Sequence, residues 1–229
     1  MRQFIQNITK ALAIGAHFFK TTLQIIYGAW KISRLPQPIV SIFGGSRLKK
    51  DSIYVQQAQI VARMLVDRNL SVITGGGPGI MEAATCGASH EQKRRIRTMG
   101  IGVVGLKGEE GFNPCVKDSI MLDYFFARKY LLINFSLGFI IFPGGFGTMD
   151  ELSELLTLMQ TGKLKRAPVI LIGSEYWKDY LAWVEVARHN GLLVSKETHL
   201  ITVTDDLKEA VDILASHCDV CMIQGITHL

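Results

Sequence analysis

Three glycine-rich segments of the chain have the composition of anion-binding loops. They occupy residues 44–47 (GGSR), 75–79 (GGGPG) and 143–148 (PGGFGT), and each follows a short apolar run. Glycine lets a ligand approach the backbone closely, and the N–H groups that open a following helix can bind a phosphate. Tight turns also use glycine for geometry alone. Because three such segments would meet at one edge of a parallel sheet, the sequence predicts a phosphate or nucleotide site there.

The residues around these glycines lack the sequence motifs of two common classes of nucleotide-binding protein. No Gly-Lys-Ser/Thr follows any of the segments, as a Walker A loop requires. Residues 75–79 also lack the GxGxxG pattern with an acidic residue at the end of the next strand. ATP hydrolysis and dinucleotide redox chemistry are therefore disfavoured, and a loop that holds one phosphate of a mononucleotide remains.

Charged side chains beside these segments could act on a bound substrate. Arg128 and Lys129 open a predicted helix, where a base opposes the helix macrodipole, so we expect an anion nearby. The substrate or Glu151 is the expected partner of Arg128, whereas Lys129 also fits a solvated or interface charge. Glu151 has a structural alternative, because Thr148 and Glu151 have the spacing of a capping box with Thr148 as the N-cap. Glu82 could likewise be only a dipole-matched carboxylate in the first turn of a helix.

Apolar runs from residue 39 onward alternate between strand-like and helix-like patterns. Brief runs rich in β-branched residues predict buried parallel strands at 39–43, 70–74, 100–105, 138–142, 169–172 and 200–203. Amphipathic segments predict helices at 54–68, 80–95, 125–135, 149–161, 176–189 and 207–216. The alternation indicates an α/β fold: a single doubly wound, Rossmann-like, mostly parallel sheet with helices on both faces. The chain then divides into an N-terminal arm (1–38), one nucleotide-binding catalytic domain (39–217) and a C-terminal tail (218–229).

The N-terminal arm is the most basic part of the chain. The net charge is +5, yet the first 50 residues contain eight Lys and Arg and no Asp or Glu, which leaves 17 basic and 20 acidic residues in the rest. Apolar residues at helical spacing predict an N-terminal helix that ends before Pro36 and Pro38. No uncharged run is long enough for a spanning helix. Two interpretations stay open: a helix packed on the body or on a partner subunit, or an amphipathic segment (1–35) in weak contact with an anionic membrane surface.

Neither a metal site nor a nucleic-acid site is predicted. The four cysteines show no disulfide framework and the single CxxC lacks the second ligand pair of a zinc site, so a reducing, cytoplasmic setting is the default. The basic residues at 93–97 suit a solvated helix end, and the mildly acidic body disfavours nucleic-acid binding. Trp177, Tyr180 and Trp183 recur at helical spacing, which is typical of packing in the core or between subunits.

Two longer motifs resemble the Lonely Guy (LOG) family. They are residues 74–84 (TGGGPGIMEAA) and 143–151 (PGGFGTMDE), the second of which matches the family pattern PGGxGTxxE. Weaker similarity at 42–47, 125–129 and 158–163 extends the likeness over residues 39–214. Family members are cytokinin-activating phosphoribohydrolases and nucleotide 5′-monophosphate nucleosidases, long mislabelled as lysine decarboxylases. The chain departs from the commonest pattern with Asp150 where Glu is frequent, and with ATCG at 84–87 where Asn often stands.

The resemblance implies which residues form the site. It makes Arg128 and Glu151 the catalytic pair. It assigns the 5′-phosphate of a substrate to four residues of one loop, namely Gly144, Gly145, Gly147 and Thr148. Further substrate contacts are expected from Gly45, Ser46, Gly76, Gly77, Met81, Glu82 and Lys129. No metal and no cofactor is expected.

The resemblance also implies a reaction. A nucleoside 5′-monophosphate, foremost AMP or an N6-modified AMP, would be hydrolysed at its N-glycosidic bond to ribose 5-phosphate and a free base. The loop at 108–116 would contact the base. A homodimer or higher homo-oligomer is expected, with the helices at 125–135 and 176–186 as its face. The alternative is a non-catalytic protein on the same fold that binds a nucleotide or molybdenum cofactor.

Overall fold

A computed structural model describes residues 2–90, 97–105, 112–194 and 199–225. One parallel sheet runs through these residues, with strands β1 (Ile39–Phe43), β2 (Ser71–Thr74), β3 (Thr98–Val103), β4 (Ser119–Leu122), β5 (Gly138–Ile141), β6 (Val169–Leu171) and β7 (Ile201–Val203). The helices are α1 (Arg2–Ile32), α2 (Ile53–Asp67), α3 (Ile80–Ala88), α4 (Phe125–Asn134), α5 (Phe146–Gln160), α6 (Ser174–His189) and α7 (Leu207–Ile223). The predicted doubly wound α/β fold with a preceding N-terminal helix is confirmed.

The strand order places a topological switch point between β1 and β5. The order is β4-β3-β2-β1-β5-β6-β7, and all neighbouring strands pair in parallel. From β1 the chain moves toward β2 on one side, and from β5 it moves toward β6 on the other, which opens a crevice above the carboxyl ends of β1 and β5. The glycine segments at 44–47 and 143–148 follow these two strands and therefore flank the crevice.

Side chains of β1 alternate between two cores on opposite faces of the sheet. Ile39 and Phe43 pack in the core that α1, α4, α5 and α6 cover, whereas Val40 and Ile42 pack in the core under α2, α3 and α7. All five residues of β1 are buried, as expected for a central parallel strand. The polar member, Ser41, donates a hydrogen bond of 2.8 Å to the Leu132 carbonyl, which satisfies its hydroxyl and ties β1 to α4.

The predicted strands agree with the structure to within two residues at each end, but β4 was missed. This edge strand has only four residues, and its burial alternates, with Met121 exposed. A search for short, continuous apolar runs, which predicts fully buried strands, therefore does not detect β4. In addition, the described residues that directly precede it, 112–118, form no helix.

Three predicted helix boundaries were wrong or fall partly outside the described residues. Helix α5 begins at Phe146 rather than at 149, and α7 continues to Ile223 rather than ending at 216. Cys218 and Cys221 are consequently buried in the packed face of α7, although the division of the chain into domains stays a prediction. Helix α3 ends at Ala88, whereas residues 91–96, with most of the basic cluster, lie outside the described residues.

The second half of α1 packs on the body. Thr21 and Ile32 are buried on one side of this helix, with Gly28 between them. A Cβ at Gly28 would clash with Leu131 of α4, so glycine lets the two helices approach closely. The interpretation as a packed helix is therefore correct for residues 21–32.

The first half of α1 projects away from the body. All described side chains between residues 3 and 20 are exposed. An ion pair of 2.6 Å joins Lys20 to Asp123, and Ile14 and Phe18 line a small cavity with Tyr124, so contact with the body ends near residue 14. Within the described residues, no helix combines the length and apolar character needed to cross a membrane.

Two truncations should separate the attached and projecting parts of α1. Removal of residues 1–18 should leave the melting temperature within about 2 °C of the full chain, because no buried side chain is lost. Removal of residues 1–34 should lower it by roughly 10 °C, because the sites of Gly28 and Ile32 become cavities or exposed apolar surface. Differential scanning calorimetry of both proteins measures this. A similar drop for the two truncations would show that the first half is also packed.

Candidate active site

The three glycine segments contact one another at the switch point. The N–H of Gly45 donates to the Pro143 carbonyl at 2.9 Å, and the N–H of Ile80 donates to the Gly45 carbonyl at 3.1 Å. Gly79 has a φ of +68°, and a Cβ there would clash with the Gly45 carbonyl. Glycine is therefore required at position 79 both for the backbone conformation and for the close approach.

A cavity of about 340 Å³ opens beside these contacts, within the usual range for small-molecule sites. Its walls come from the loop after β1 and from the starts of α3, α4 and α5. Nine of the predicted site residues line it: Gly45, Ser46, Met81, Arg128, Lys129, Gly145, Gly147, Thr148 and Glu151. Five residues that were not predicted complete the lining: Gly44, Arg47, Phe125, Phe146 and Asp150.

The start of α5 offers backbone N–H groups to the cavity. Gly145 is the N-cap, and the first intrahelical bond runs from the Met149 N–H to the Gly145 carbonyl at 3.1 Å. The N–H groups of Phe146, Gly147 and Thr148 precede this bond, so they have no partner within the helix. Such an N-terminus favours an anion through both its hydrogen bonds and the helix dipole.

The capping-box alternative for Glu151 is wrong. Because α5 begins two residues before Thr148, that residue lies inside the first turn rather than at the N-cap, and no side chain caps the helix. Glycine takes the N-cap instead, a position it tolerates nearly as well as threonine. Glu151 therefore lies beyond the first turn and faces Arg128.

Arg128 is a buried arginine with unused hydrogen-bonding capacity. Its side chain is 10% exposed and its Nη2 lies 3.6 Å from Glu151 Oε1. Within the described part of the chain, its Nε has no hydrogen-bond partner. A Cβ at Gly75 would clash with the guanidinium, so the glycine segment at 75–79 makes room for it. A buried guanidinium with one long ion pair is suited to a second anionic partner.

Glu151 is a carboxyl group with a raised pKa. Its side chain is 13% exposed. Burial raises the pKa from 4.5 to about 7, although the nearby charge of Arg128 acts in the opposite direction. Asp150 adds a further upward shift through like-charge repulsion. Glu151 can therefore bind or release a proton near neutral pH, as a general acid or base must.

Lys129 has carboxylate partners, which distinguishes it from Arg128. Its Nζ lies 3.0 Å from Asp150 Oδ2 and 2.5 Å from Glu154 Oε2, and the side chain is 16% exposed. Burial alone would lower the pKa of Lys129, but the hydrogen bonds to Glu154 and Asp150 raise it above its usual value. Lys129 lines the cavity, yet its ammonium ties the start of α4 to the start of α5 and so sets the positions of the neighbouring Arg128 and Glu151.

Four predicted site residues do not line the cavity. Gly144 lies behind the loop, where its carbonyl accepts a hydrogen bond from the Tyr176 hydroxyl. The carbonyls of Gly76 and Gly77 both accept from the Asn113 side-chain amide at 3.0 Å. Glu82 lies 3.3 Å from Lys50 and lines a separate cavity.

The five unpredicted lining residues carried partial signals in the sequence. Gly44 and Arg47 belong to a segment already identified as glycine-rich, and Asp150 lies inside the PGGxGTxxE match. Phe125 and Phe146 are exposed, the latter by 95%, but apolar residues beside glycine are usually assigned to packing. Only the assembled cavity shows that both rings border the site.

A disulfide bond that the sequence analysis did not expect lies behind the Gly75 segment. It joins Cys86 of α3 to Cys115, 29 residues later, in the segment that carries Asn113. The spacing of the cysteines contains no signal for this pairing, because it depends on the fold of residues 112–118 against α3. The compartment of the protein stays a prediction.

Comparison with known families agrees with this geometry. A family model described as "Possible lysine decarboxylase" matches residues 81–214, more than half of the chain. The chain belongs to this family, the Lonely Guy family. The match begins at Met81 in the cavity wall and includes Arg128 and Glu151.

Relatives of this Lonely Guy protein include named enzymes. The pyrimidine/purine nucleotide 5′-monophosphate nucleosidase of Escherichia coli K12 is 30% identical over 187 residues, which are 79% of this chain and 40% of that protein. A cytokinin riboside 5′-monophosphate phosphoribohydrolase of Arabidopsis thaliana is 28% identical over 173 residues, 75% of this chain and 79% of that protein. The chain thus spans well under half the length of the bacterial relative.

Solved structures share the fold of this Lonely Guy protein. The molybdenum cofactor binding protein of Rippkaea orientalis superposes with a TM-score of 0.57 at 19% identity, over 79% of this chain and 96% of that one. At this identity the likeness supports the α/β architecture alone.

The raised pKa of Glu151 should appear in the pH dependence of stability. The folded state retains this proton up to a pH of about 7, whereas the unfolded chain releases it near 4.5. Ionisation therefore opposes folding over this interval, and stability is lost as the pH rises through it. The free energy of unfolding of the wild type should fall relative to Glu151→Gln by on the order of 2 to 3 kcal/mol between about pH 5 and pH 8. Urea unfolding of both proteins at four pH values measures this, and parallel profiles would contradict it.

Loss of the Lys129 ion pairs should destabilise the protein. Lys129→Met keeps the aliphatic stem but leaves Asp150 and Glu154 unpaired, so the free energy of unfolding should fall by about 1 to 3 kcal/mol at neutral pH. Lys129→Arg should recover most of the loss. Lys50→Met is the matched control: Lys50 is 87% exposed in its pair with Glu82 and should change stability by about 0.5 kcal/mol or less. Equal effects of Lys129→Met and Lys50→Met in urea unfolding would refute the tethering role.

Proposed function

We propose that this Lonely Guy protein is an N-glycosidase that hydrolyses a nucleoside 5′-monophosphate to ribose 5-phosphate and a free base. The observation that carries the proposal is the buried pair of Arg128 and Glu151 in a cavity that also contains the open N-terminus of α5. The named activities of the E. coli and A. thaliana relatives support it.

The phosphate of the substrate would bind at the start of α5. The N–H groups of residues 146–148 supply the hydrogen bonds, and Thr148 is buried beside them. Gly145 and Gly147 have no neighbouring atom within 4 Å of a Cβ position, so the space above them is open to a ligand. Arg47 lines the same cavity and adds a positive charge. Binding the phosphate here would fix the attached ribose in the cavity, which restricts its orientation before reaction.

The chemistry would centre on the Glu151 carboxyl group. As the bond between C1′ and the base breaks, the ribose develops oxocarbenium character, and a nearby carboxylate stabilises that positive charge. Water supplies the oxygen that bonds to C1′ as the bond from C1′ to the base nitrogen breaks. One of the water protons passes to Glu151, and a proton returns from Glu151 to the nitrogen of the departing base. A pKa of about 7 suits both the acceptance and the release of this proton.

Arg128 would act on both Glu151 and the substrate. Its charge opposes the upward shift of the Glu151 pKa and so favours the ionised carboxylate. Its Nε has no partner among the described residues and is available to a phosphate or ribose oxygen. We assign Arg128 and Glu151 as the catalytic residues on this basis.

The identity of the base is a separate proposal. Phe125 and Phe146 border the cavity and expose their rings, so they could stack on a base such as adenine or an N6-modified adenine. Residues 108–111 of the predicted base-contact loop lie outside the described residues. Within the described part of that loop, Asn113 is engaged by Gly76 and Gly77.

Assembly and location are also proposals. Phe125, Phe126 and Tyr130 of α4, together with Trp183 and Val186 of α6, expose apolar surface that a second subunit could cover. Trp177 does not contribute to this surface, because it is fully buried in the core. We propose a homo-oligomer with no nucleic-acid partner; contact of residues 1–35 with a membrane surface rests on the exposed face of α1. The cytoplasmic location expected from the sequence stays a prediction, and the disulfide between Cys86 and Cys115 argues against a reducing compartment.

Substitution of Glu151 should separate catalysis from binding. Glu151→Gln retains the size of the side chain but removes its charge, so turnover of AMP should fall by about 10² to 10³ while nucleotide affinity is largely kept. Arg128→Ala should also abolish turnover and should weaken nucleotide binding more. Glu185→Gln is the matched control, since Glu185 is exposed on α6 and pairs with Arg188. Chromatography of free base released from a panel of nucleoside monophosphates measures turnover.

Two results would count against this function. The wild type could release no base from any common nucleoside monophosphate while its melting temperature rises with nucleotide, which would indicate a binding protein. Alternatively, Glu151→Gln could retain the turnover of Glu185→Gln, which would remove Glu151 from the chemistry.

A further inference from the structure

One side of α1 is an uninterrupted apolar surface that no described part of the protein covers. It consists of Ile8, Leu12, Phe19, Leu23, Ile26 and Trp30, which we name the outer face of α1. Each of these side chains is between 44% and 69% exposed. At 100° of rotation per residue, the six lie within an arc of about 60°, along about 33 Å of helix.

The outer face points away from the body. The residues that attach α1, such as Thr21 and Ile32, lie on the opposite side of the helix. Two other exposed apolar residues, Ile14 and Phe18, are directed differently, because they line a small cavity with Tyr124. The outer face is therefore separate from the attachment of α1 and from the cavity that holds Arg128 and Glu151.

The spacing of the outer face keeps it on one side of α1. From Ile8 to Trp30 the apolar positions repeat every 3.6 to 3.7 residues on average, which suits a straight helix lying on a flat surface. From Leu12 to Trp30, with Ala16 included, the gaps of 4, 3, 4, 3 and 4 residues also match the seam between two helices. Spacing alone therefore allows both a planar partner and a second helix, and the charge of the segment must distinguish them.

The charge of the segment distinguishes the two kinds of partner. The first 50 residues contain no Asp or Glu. Lys20 and Lys31 are paired with Asp123 and Asp118 of the body. Lys10 and Arg34 have no carboxylate partner among the described residues, so two copies packed through their outer faces would bring these like charges together. Lys10 lies on the side of α1 opposite the outer face, and the Arg34 guanidinium stacks 4.9 Å from the Trp30 ring at the end of that face. Lysine on the polar side and aromatic residues on the apolar side are typical of helices that lie in the headgroup region of an anionic membrane.

We propose that the outer face of α1 binds the surface of a membrane that contains anionic lipids, with the helix parallel to the membrane plane. Six apolar side chains enter the boundary between headgroups and acyl chains, while the basic residues attract the lipid phosphates. The body is held at the surface by residues 21–32, and the site above the sheet is not part of the contact.

Vesicle binding of the full-length protein tests the proposal. The wild type should sediment with vesicles of phosphatidylcholine and phosphatidylglycerol, bind pure phosphatidylcholine much more weakly, and lose binding to the anionic vesicles as salt is raised. Phe19→Glu on the outer face and Ala13→Glu on the flank of α1, about 110° around the helix from the centre of that face, change the charge equally. Phe19→Glu should bind the anionic vesicles at least about tenfold more weakly than Ala13→Glu, because only it removes apolar burial. Leu12→Glu, further from the body, should behave as Phe19→Glu does.

Circular dichroism and release of base from AMP accompany these measurements. All three variants should keep the wild-type helix content and turnover, so failure of the lipid proposal is distinguishable from failure of the proposed reaction. Equal vesicle binding by Phe19→Glu and Ala13→Glu would overturn the proposal. A second result would also overturn it. If the wild type binds neither kind of vesicle, and Phe19→Glu has a lower mass than the wild type in sedimentation equilibrium, the outer face joins two copies of the chain instead.

Discussion

The hydrogen bond from the Gly45 N–H to the Pro143 carbonyl joins the two loops on which the site depends. Both loops leave the sheet at the switch point, where the chain turns away in opposite directions. This hydrogen bond continues the pairing of β1 with β5 into the loops, directly after the bond from the Phe142 N–H to the Phe43 carbonyl. The same Gly45 accepts from the first N–H of α3, so this one residue holds three segments in place. The cavity is the space left above that junction.

The site combines two groups that are unfavourable for folding when considered alone. A buried guanidinium with an unpaired Nε and a buried carboxyl with a raised pKa both cost stability, and their separation of 3.6 Å only partly compensates. Lys129 and its two carboxylate partners hold α4 and α5 together at lower cost in stability, because each of these groups lies within 3.0 Å of an opposite charge. The ion pairs of Lys129 thus position Arg128 and Glu151, whose own pairing contributes less to stability. Such an arrangement is typical of sites in which the requirements of catalysis reduce the stability of the fold.

The features of the fold that depend on local composition could be predicted from the sequence. Buried strands such as β1 contain runs of β-branched residues, and the glycine segments follow them directly, so both could be located before the fold was known. Arg128 and Glu151 came from a motif rather than from periodicity. The start of α5 was misplaced because Gly145 and Thr148 are both acceptable N-caps, and only the packing of the loop decides between them. The partners of Lys129 and of Cys86 lie 21 or more residues away in sequence, so no local pattern could reveal them.

Gly75 and Arg128 are distant in sequence, but a side chain at position 75 would compete with Arg128 for the same space. A chain with this fold that replaced Gly75 would have to move the Arg128 guanidinium, and its distance from Glu151 would change with it. We therefore expect glycine at 75 to be favoured among relatives that keep the arginine. A homologue that has lost the glycine would be a candidate for a fold that has kept its loops but exchanged hydrolysis for another role.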